Sequence, residues 1–249
     1  MANTLNLGNG NWATKEDSLL AYNSENGNFK PLPFDFTRAS SATVVNKAGL
    51  IETVGSGEPR IDFSNDAKGA LLLEPTRSNL VTYSEDFSNA AWVKLGAGTG
   101  STALVTTNYA ISPDGTQNAT RLQCDLGNGN TISDQSLIYD SYASSGTQSM
   151  SVYLKSNTGQ NQTLYFANTI SENDTVLATS EWKRFTFTHS TASVVLALGL
   201  RGTSGSDNVA DVLVWGAQAE QGSYATSYIP TQGSAVTRSA DVCNNGGNE

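Results

Sequence analysis

Five segments in the second half of the chain set large apolar residues at alternate positions, and turns of Gly, Asn and Ser lie between them. They are "SMSVYLKS" (149–156), "QTLYFANT" (162–169), "WKRFTFTHS" (182–190), "SVVLALGLRG" (193–202) and "ADVLVWGAQAE" (210–220). A period of two is the backbone signature of a half-buried strand, because successive Cβ atoms of extended chain point to opposite faces. In "SMSVYLKS" Met150, Val152 and Leu154 share one face and Ser151, Tyr153 and Lys155 the other. Leu164 and Phe166 point inward with Tyr165 outward, and Val194, Leu196, Leu198 and Leu200 point inward with Val195, Ala197, Gly199 and Arg201 outward. Short strands joined by polar turns predict an all-β fold, an antiparallel jelly-roll sandwich over about 79–242.

Upstream of the sandwich two smaller zones stand out. Residues 37–78 read as a small β-hairpin unit: "ATVVN-KAG-LIETV" turns at Gly49, and "PRIDFSNDAKGALLLEP" turns between Asn65 and Gly69. Arg60, Asp62 and Ser64 alternate there with Ile61 and Phe63, which predicts a half-buried strand. Four short strands carry little core, so this unit needs a neighbour, such as another copy of itself. Residues 1–36 are Asn- and Gly-rich and form an N-terminal arm. Within it "ATKEDSLLAYN" has capping-box-like spacing at Thr14 and Asp17, predicting a turn or two of helix ahead of Leu19, Leu20 and Tyr22. Residues 243–249 form a short tail.

Charge and motif content exclude several function classes. With a net charge of −9 and only 14 Lys+Arg, the chain lacks the clustered cations that nucleic-acid phosphates require. The longest apolar run, "VVLALGL" (194–200), is too short to cross a bilayer, so no membrane insertion is expected. His189 is the single histidine; it reads as an exposed strand-end residue and is ill placed to serve a Ser-His-Asp or Cys-His arrangement. The Gly-rich "KLGAGTGST" (94–102) lacks the lysine and helix of a phosphate loop. Cys124 and Cys243 have no partner motif and read as free thiols. No cofactor is indicated, although Glu85, Asp86 and Asp211 near the sandwich ends would suit a structural calcium ion. Two carboxylates suffice for glycoside hydrolysis, and Glu52, Asp62, Glu74, Asp114 and Glu220 add to that inventory. Most of these acids lie beside turns or alternate out of strands, where carboxylates are usually solvated, so no catalytic residue is assigned.

The outward residues raise a binding hypothesis. With Ala197, Gly199 and Arg201 on a sheet flanked by outward Tyr153 and Tyr165, the face would be a shallow floor with aromatic walls. Tyr153, Tyr165 and Arg201 are therefore candidate glycan contacts, since sugars lay C–H faces on rings and offer hydroxyls to polar groups. Small outward residues equally suit close packing of another segment.

Three separated segments, "FTRASSATVVNKAGLIETVGSGEPRIDF", "GALLLEPTRSNLVTYSEDFSNAAWVK" and "WGAQAEQGSYATSYIPTQGSAVTRSADV", together resemble tailed-bacteriophage virion proteins of the tail-fibre and head-fibre class. The resemblance implies a structural appendage on the virion exterior, a homotrimer, and capsid or tail proteins as partners. Under it the N-terminal arm is the virion-docking segment, with Trp12, Leu19, Leu20 and Tyr22 as docking residues. The main domain, through "SNLVTYSEDFSNAAW", "SVYLKSNTG", "EWKRFTFT" and "ADVLVWGAQAE", also resembles galactose-binding-like carbohydrate-binding modules, which implies a core position for Trp182 and host surface glycans as ligands. A surface-polysaccharide depolymerase is the alternative; such enzymes usually rest on long repeats, and no repeat of 20–50 residues is present. Trp215 is expected to close the sandwich against Phe87 and Trp92, with the strand ending before Pro230, which cannot donate a ladder bond.

Overall fold

The computed structural model describes residues 3–5, 12–15, 18–23, 28–31, 35–167, 173–190 and 195–244. Every regular element among them is a β-strand. The chain divides into two compact units, one formed by Met1–Ser78, Thr226–Ile229 and Thr237–Glu249, the other by Asn79–Ala225 and Pro230–Val236.

The first unit is a set of small sheets. Strands β1 (Asn3–Leu5), β8 (Ile61–Asp62) and β9 (Ala70–Leu73) form one, with β9 central. Strands β2 (Trp12–Lys15), β3 (Ser18–Asn23) and β4 (Asn28–Pro31) form a meander. The expected helix is thus two strands, with Trp12 opposite Ala21 and Thr14 opposite Leu19. A helix this short is marginal alone, and ladder pairing of β2 with β3, from Trp12 opposite Ala21 to Lys15 opposite Ser18, prevails over its capping signal. Strand β5 (Asp35–Thr37) pairs with β22 (Val242–Asn244), so part of the predicted tail is a strand. The hairpin of β6 (Ala42–Val45) and β7 (Ile51–Val54) forms as its sequence requires. Gly49 adopts φ +80°, a conformation costly to residues bearing a Cβ.

The second unit is the sandwich. One five-stranded sheet has the order β11 (Val93–Ala97), β14 (Gln135–Ser141), β19 (Val195–Arg201), β16 (Gln162–Ala167), β17 (Asn173–Ala178). The other runs β12 (Leu104–Ala110), β13 (Ala119–Asp125), β20 (Val209–Gln221), β15 (Gln148–Ser156), β18 (Lys183–His189). All named pairings in both are antiparallel. A last pair joins β10 (Arg77–Asn79) to β21 (Val236–Arg238).

The sandwich core gathers the inward set of each strand: Met150, Val152, Leu154, Val212 and Val214 with Leu164, Phe166, Leu196, Leu198 and Leu200. Burial of each such side chain is worth about 1.5–3 kcal/mol. Val194 lies outside the described residues. Cys124 belongs to this core as a free thiol, its pKa pushed up to about 12 by burial. Asn79, fully buried, ties the start of the unit to β20: its Nδ2 donates to Ala217 O (3.1 Å) and its Oδ1 accepts from Ala219 N (3.1 Å) and Val81 N (3.2 Å).

Two aromatic expectations are corrected here. Val212 and Val214 take the core side of β20, so Trp215 faces away from Phe87 and Trp92. It packs instead edge-on to Tyr153 at 5.5 Å, while Phe87 and Trp92 pack on each other at 4.8 Å. A bulge follows, in which the pairing steps from Ser151 opposite Gln218 to Tyr153 opposite Trp215, with Gly216 at φ +64°. The extra residue returns Ala217 and Ala219 to the core. Trp182 is half-buried rather than a core residue, its Nε1 donating to Ile111 O at 3.1 Å.

Beside its small apolar cluster of Ile61 and Leu71, the first unit buries an ionic network, which overturns the placing of Arg60 on the polar face of a half-buried strand. The Arg60 guanidinium is fully buried, as are those of Arg38 and Arg238, against the carboxylates of Glu74 and Asp241. Arg60 pairs with Glu74 (2.9 Å) and Asp241, Arg238 with Glu74 (2.8 Å), and Arg38 with Asp241 (3.1 Å). Ser227 donates to Glu74 through N (2.8 Å) and Oγ (2.6 Å). The third cation is balanced by carbonyls, since Arg38 also donates to the backbone oxygens of Ser40, Gly55 and Glu58.

Candidate functional site

The residues proposed from sequence as one platform do not share a sheet. Tyr165 and Arg201 come together on the outward face of the β14–β19–β16 sheet, the guanidinium 5.7 Å from the ring centroid. Tyr165 sits opposite Gly199, as outward alternation requires. Both are nevertheless buried, Tyr165 at 2% exposure and Arg201 at 8%, and Tyr165 clusters with Leu137, Ala167 and Ala197. Tyr153 belongs to the opposite sheet, where Arg184 lies over its ring at 5.5 Å. No ring of this trio is presented as an open sugar platform.

Other sequence assignments also move. His189 is buried and stacked on Phe187 at 6.0 Å, not exposed. Glu74 and Glu220 are buried rather than solvated, Glu220 accepting from Gln218 Nε2 at 2.7 Å. Asp211 is engaged by Arg121 (Nε 2.8 Å) and Asn157 (3.0 Å), with its carboxyl held below the usual range chiefly by the Arg121 bond. Among the described residues no three His, Cys, Asp or Glu side chains gather as a metal site, so Glu85, Asp86 and Asp211 do not form the expected calcium cluster. Trp12, Leu19, Leu20 and Tyr22 lie on β2 and β3.

The Gly-rich "KLGAGTGST" segment has a structural explanation. A Cβ on Gly96 would lie 2.3 Å from Thr102 N, and one on Gly100 2.2 Å from Gln135 O. Asp134 closes this turn by accepting from Thr99 N (2.9 Å), Thr131 N (2.8 Å) and Thr131 Oγ1 (2.7 Å), bonds that hold its carboxyl far below the usual range.

A different place in the sandwich unit has the form of a binding site. A cleft of about 680 Å³ lies between the 83–88 turn, the β12 segment at 107–108, Asn118 and the 230–232 segment. Its first wall follows from a tight turn. Asp86 Oδ1 accepts from Ser88 N (3.1 Å) and Ser88 Oγ (2.5 Å), while Lys94 Nζ caps the carbonyls of Ser88, Asn89 and Trp92 at 2.7–2.9 Å. Trp92, almost fully buried, anchors the turn by donating from Nε1 to Tyr83 O at 2.8 Å. The turn places half-buried Glu85 and exposed Asp86 on the cleft lining together with Tyr83.

The second wall is set by a β-bulge. The pairing of β12 with β13 shifts between Thr106 and Ala110, and Asn108 takes φ +52° there. Asparagine tolerates this conformation better than most residues with a side chain. Below it, Asp114 accepts from Ser112 Oγ (2.6 Å), Thr116 N (2.7 Å) and Thr116 Oγ1 (2.7 Å). Burial pushes the Asp114 pKa up, but these bonds outweigh it and hold the carboxyl below its ordinary value. Asn118 bridges the walls, donating from Nδ2 to Glu85 Oε2 and to Asp114 Oδ2, both at 3.1 Å.

The third side is the 230–232 segment. Thr231 N donates to Ser84 Oγ (2.9 Å), Thr231 Oγ1 donates to Val81 O (2.7 Å), and Gln232 pairs with Tyr83 in an isolated antiparallel bridge. Sequence reasoning reached only Glu85 and Asp86, as unplaced carboxylates. Tyr83, Asn108, Asn118 and Gln232 carry no local signal, since three distant segments bring them together.

No family model matches the chain, and no curated protein matches it. Among solved structures it is similar to the CBM22-1–GH10 modules of Clostridium thermocellum endo-1,4-beta-D-xylanase 10B complexed with xylohexaose (15% identity, 61% of this chain and 29% of that chain, TM-score 0.33). It is also similar to the CBM22-1 xylan-binding domain of Paenibacillus barcinonensis Xyn10C (18% identity, 57% and 90%, TM-score 0.35). A third is the enzymatically active domain of bacteriophage CBA120 tailspike protein 4 (10% identity, 57% and 21%, TM-score 0.33). The chain thus spans under a third of the first and third of these. Overlaps at such TM-scores carry no functional argument; the all-β sandwich stands on its own strands.

Proposed function

We propose that this chain is a non-catalytic, glycan-binding component of a tailed-phage virion appendage, displayed on the virion exterior, and that the cleft around Glu85, Asp86 and Asn118 holds the sugar. The cleft is the observation that carries the binding half. Its volume lies within the range of ligand sites, and carboxylates, carboxamides and hydroxyls beside one tyrosine ring suit a polyol. The virion half is supported by the three ordered sequence segments. In this reading the β2–β3 hairpin, with Trp12, Leu19, Leu20 and Tyr22, docks on a capsid or tail protein, and three chains assemble.

The test is adsorption of labelled protein to host cells before and after periodate oxidation of their surface sugars. Binding is expected to be periodate-sensitive and to weaken in Tyr83→Ala and Gln232→Ala, whose folding is checked by thermal melting. Loss of a stacking ring alone is worth about 0.5–1.5 kcal/mol. Periodate-insensitive adsorption, or none from folded protein, removes the glycan reading.

A further inference from the structure

We propose that the turn forming the first wall of the cleft is a cation site that carries its own cation: the Lys94 ammonium occupies a ring of three backbone carbonyls, and shortening that side chain opens the ring to a free potassium or alkylammonium ion. Lys94 Nζ donates to Ser88 O at 2.9 Å, to Asn89 O at 2.7 Å and to Trp92 O at 2.7 Å. An ammonium group has three donors and no acceptor, so these bonds use all of them.

The convergence follows from the local fold. The chain winds through two successive tight turns, in which Asn89 N donates to Asp86 O (3.2 Å) and Trp92 N to Asn89 O (3.1 Å), while Asn89 Oδ1 accepts from Ala91 N (3.1 Å). Carbonyls at the end of such a winding carry partial negative charge and need donors from elsewhere. Lys94 lies two residues beyond Trp92, on β11, where its backbone is paired with Ile138 of β14. Its side chain therefore returns over the turn from a strand fixed in a sheet. Burial lowers the Lys94 pKa, and the nearby Asp86 charge opposes that.

The dimensions of the ring select the ion. Oxygens 2.7–2.9 Å from the central atom are too distant for calcium, which takes them at about 2.3–2.6 Å, or for magnesium at about 2.0–2.1 Å. Potassium is a metal ion that rings of carbonyls hold, and an alkylammonium ion reproduces the donors of Lys94. The same ammonium ties Ser88, whose Oγ bonds Asp86 on the cleft lining, to β11. Lys94 is thus a positioning residue for the cleft wall, whatever the cleft binds.

Thermal melting of full-length Lys94→Ala and Lys94→Met tests this in lithium, potassium, methylammonium and tetramethylammonium chloride at one ionic strength, each variant compared with the unaltered chain in the same salt. In lithium chloride both variants are expected to melt about 5 °C lower, the size expected for losing bonds to a charged group in a chain of this length. Potassium and methylammonium should restore most of that shift in Lys94→Ala and less in Lys94→Met, whose longer side chain still fills part of the path. Tetramethylammonium, which has no donor, should restore none. A Lys94→Met variant that melts with the unaltered chain shows that only the stem of the lysine matters, and overturns the inference. Recovery of equal size in every salt, or in none, overturns it too, and variants that stay unfolded in every salt count as no recovery.

Discussion

Glu74 sits between the guanidinium groups of Arg60 and Arg238 at under 3 Å from each, and is almost wholly removed from water. Burial alone would raise its pKa. The charges of Arg238 and Arg60 and the Ser227 bonds outweigh that and hold the carboxyl below its ordinary value. A depressed folded-state pKa contributes stability that is present above the unfolded-state value and disappears as pH falls through the folded one. Denaturant melts at a series of pH values should therefore show stability falling below roughly pH 4, the unfolded glutamate range. Glu74→Gln should cost about 3–5 kcal/mol at neutral pH, because two buried guanidinium groups lose their shared partner. It should also flatten part of the acid limb; an unchanged acid limb would mean that the network does not set it. Arg38, Arg60, Glu74, Ser227, Arg238 and Asp241 all fall within the three segments quoted from the sequence, which the fold thus joins in one buried ionic network.

Among the elements, the β11–β12 connection and the 83–92 turn do the positioning. Gly100→Ala is expected to destabilise the fold by about 1–3 kcal/mol, since its Cβ would collide with the backbone of Gln135, which β14 holds in its ladder with β11 and β19. Trp92→Ala should cost about 3–5 kcal/mol by leaving a core cavity. It also removes the bond that anchors Tyr83, so sugar binding should weaken in whatever fraction remains folded. Calorimetric melting measures both, and a near-wild-type melting temperature in either variant would contradict the packing described. The inward faces of β15, β16 and β19 were legible because alternation is a local property of extended backbone. The helix over the β2–β3 region was misread for a related reason: capping signals are local too, and cannot register a partner strand.

At the scale of the whole molecule, assembly and recognition are separate questions. Mass measurement in solution is expected to give three chains per particle, as the virion resemblance implies; a monomer at working concentration would count against that assembly. The cleft variants should alter adsorption without altering this mass. What the sequence determined by itself was the all-β class, the antiparallel strands with their buried faces, and the hairpin turning at Gly49. These follow from the period of two and from turn chemistry within a few residues. Tertiary structure alone decided which sheet each strand joins, and so sent Tyr153 and Tyr165 to opposite sheets. It also buried Arg60 beside Asp241, 181 positions away, and closed the cleft from segments near 85, 118 and 231. Strand order and charge pairing minimise free energy over the whole chain, and residues so far apart leave no mark on their immediate neighbours that alternation or spacing can reveal.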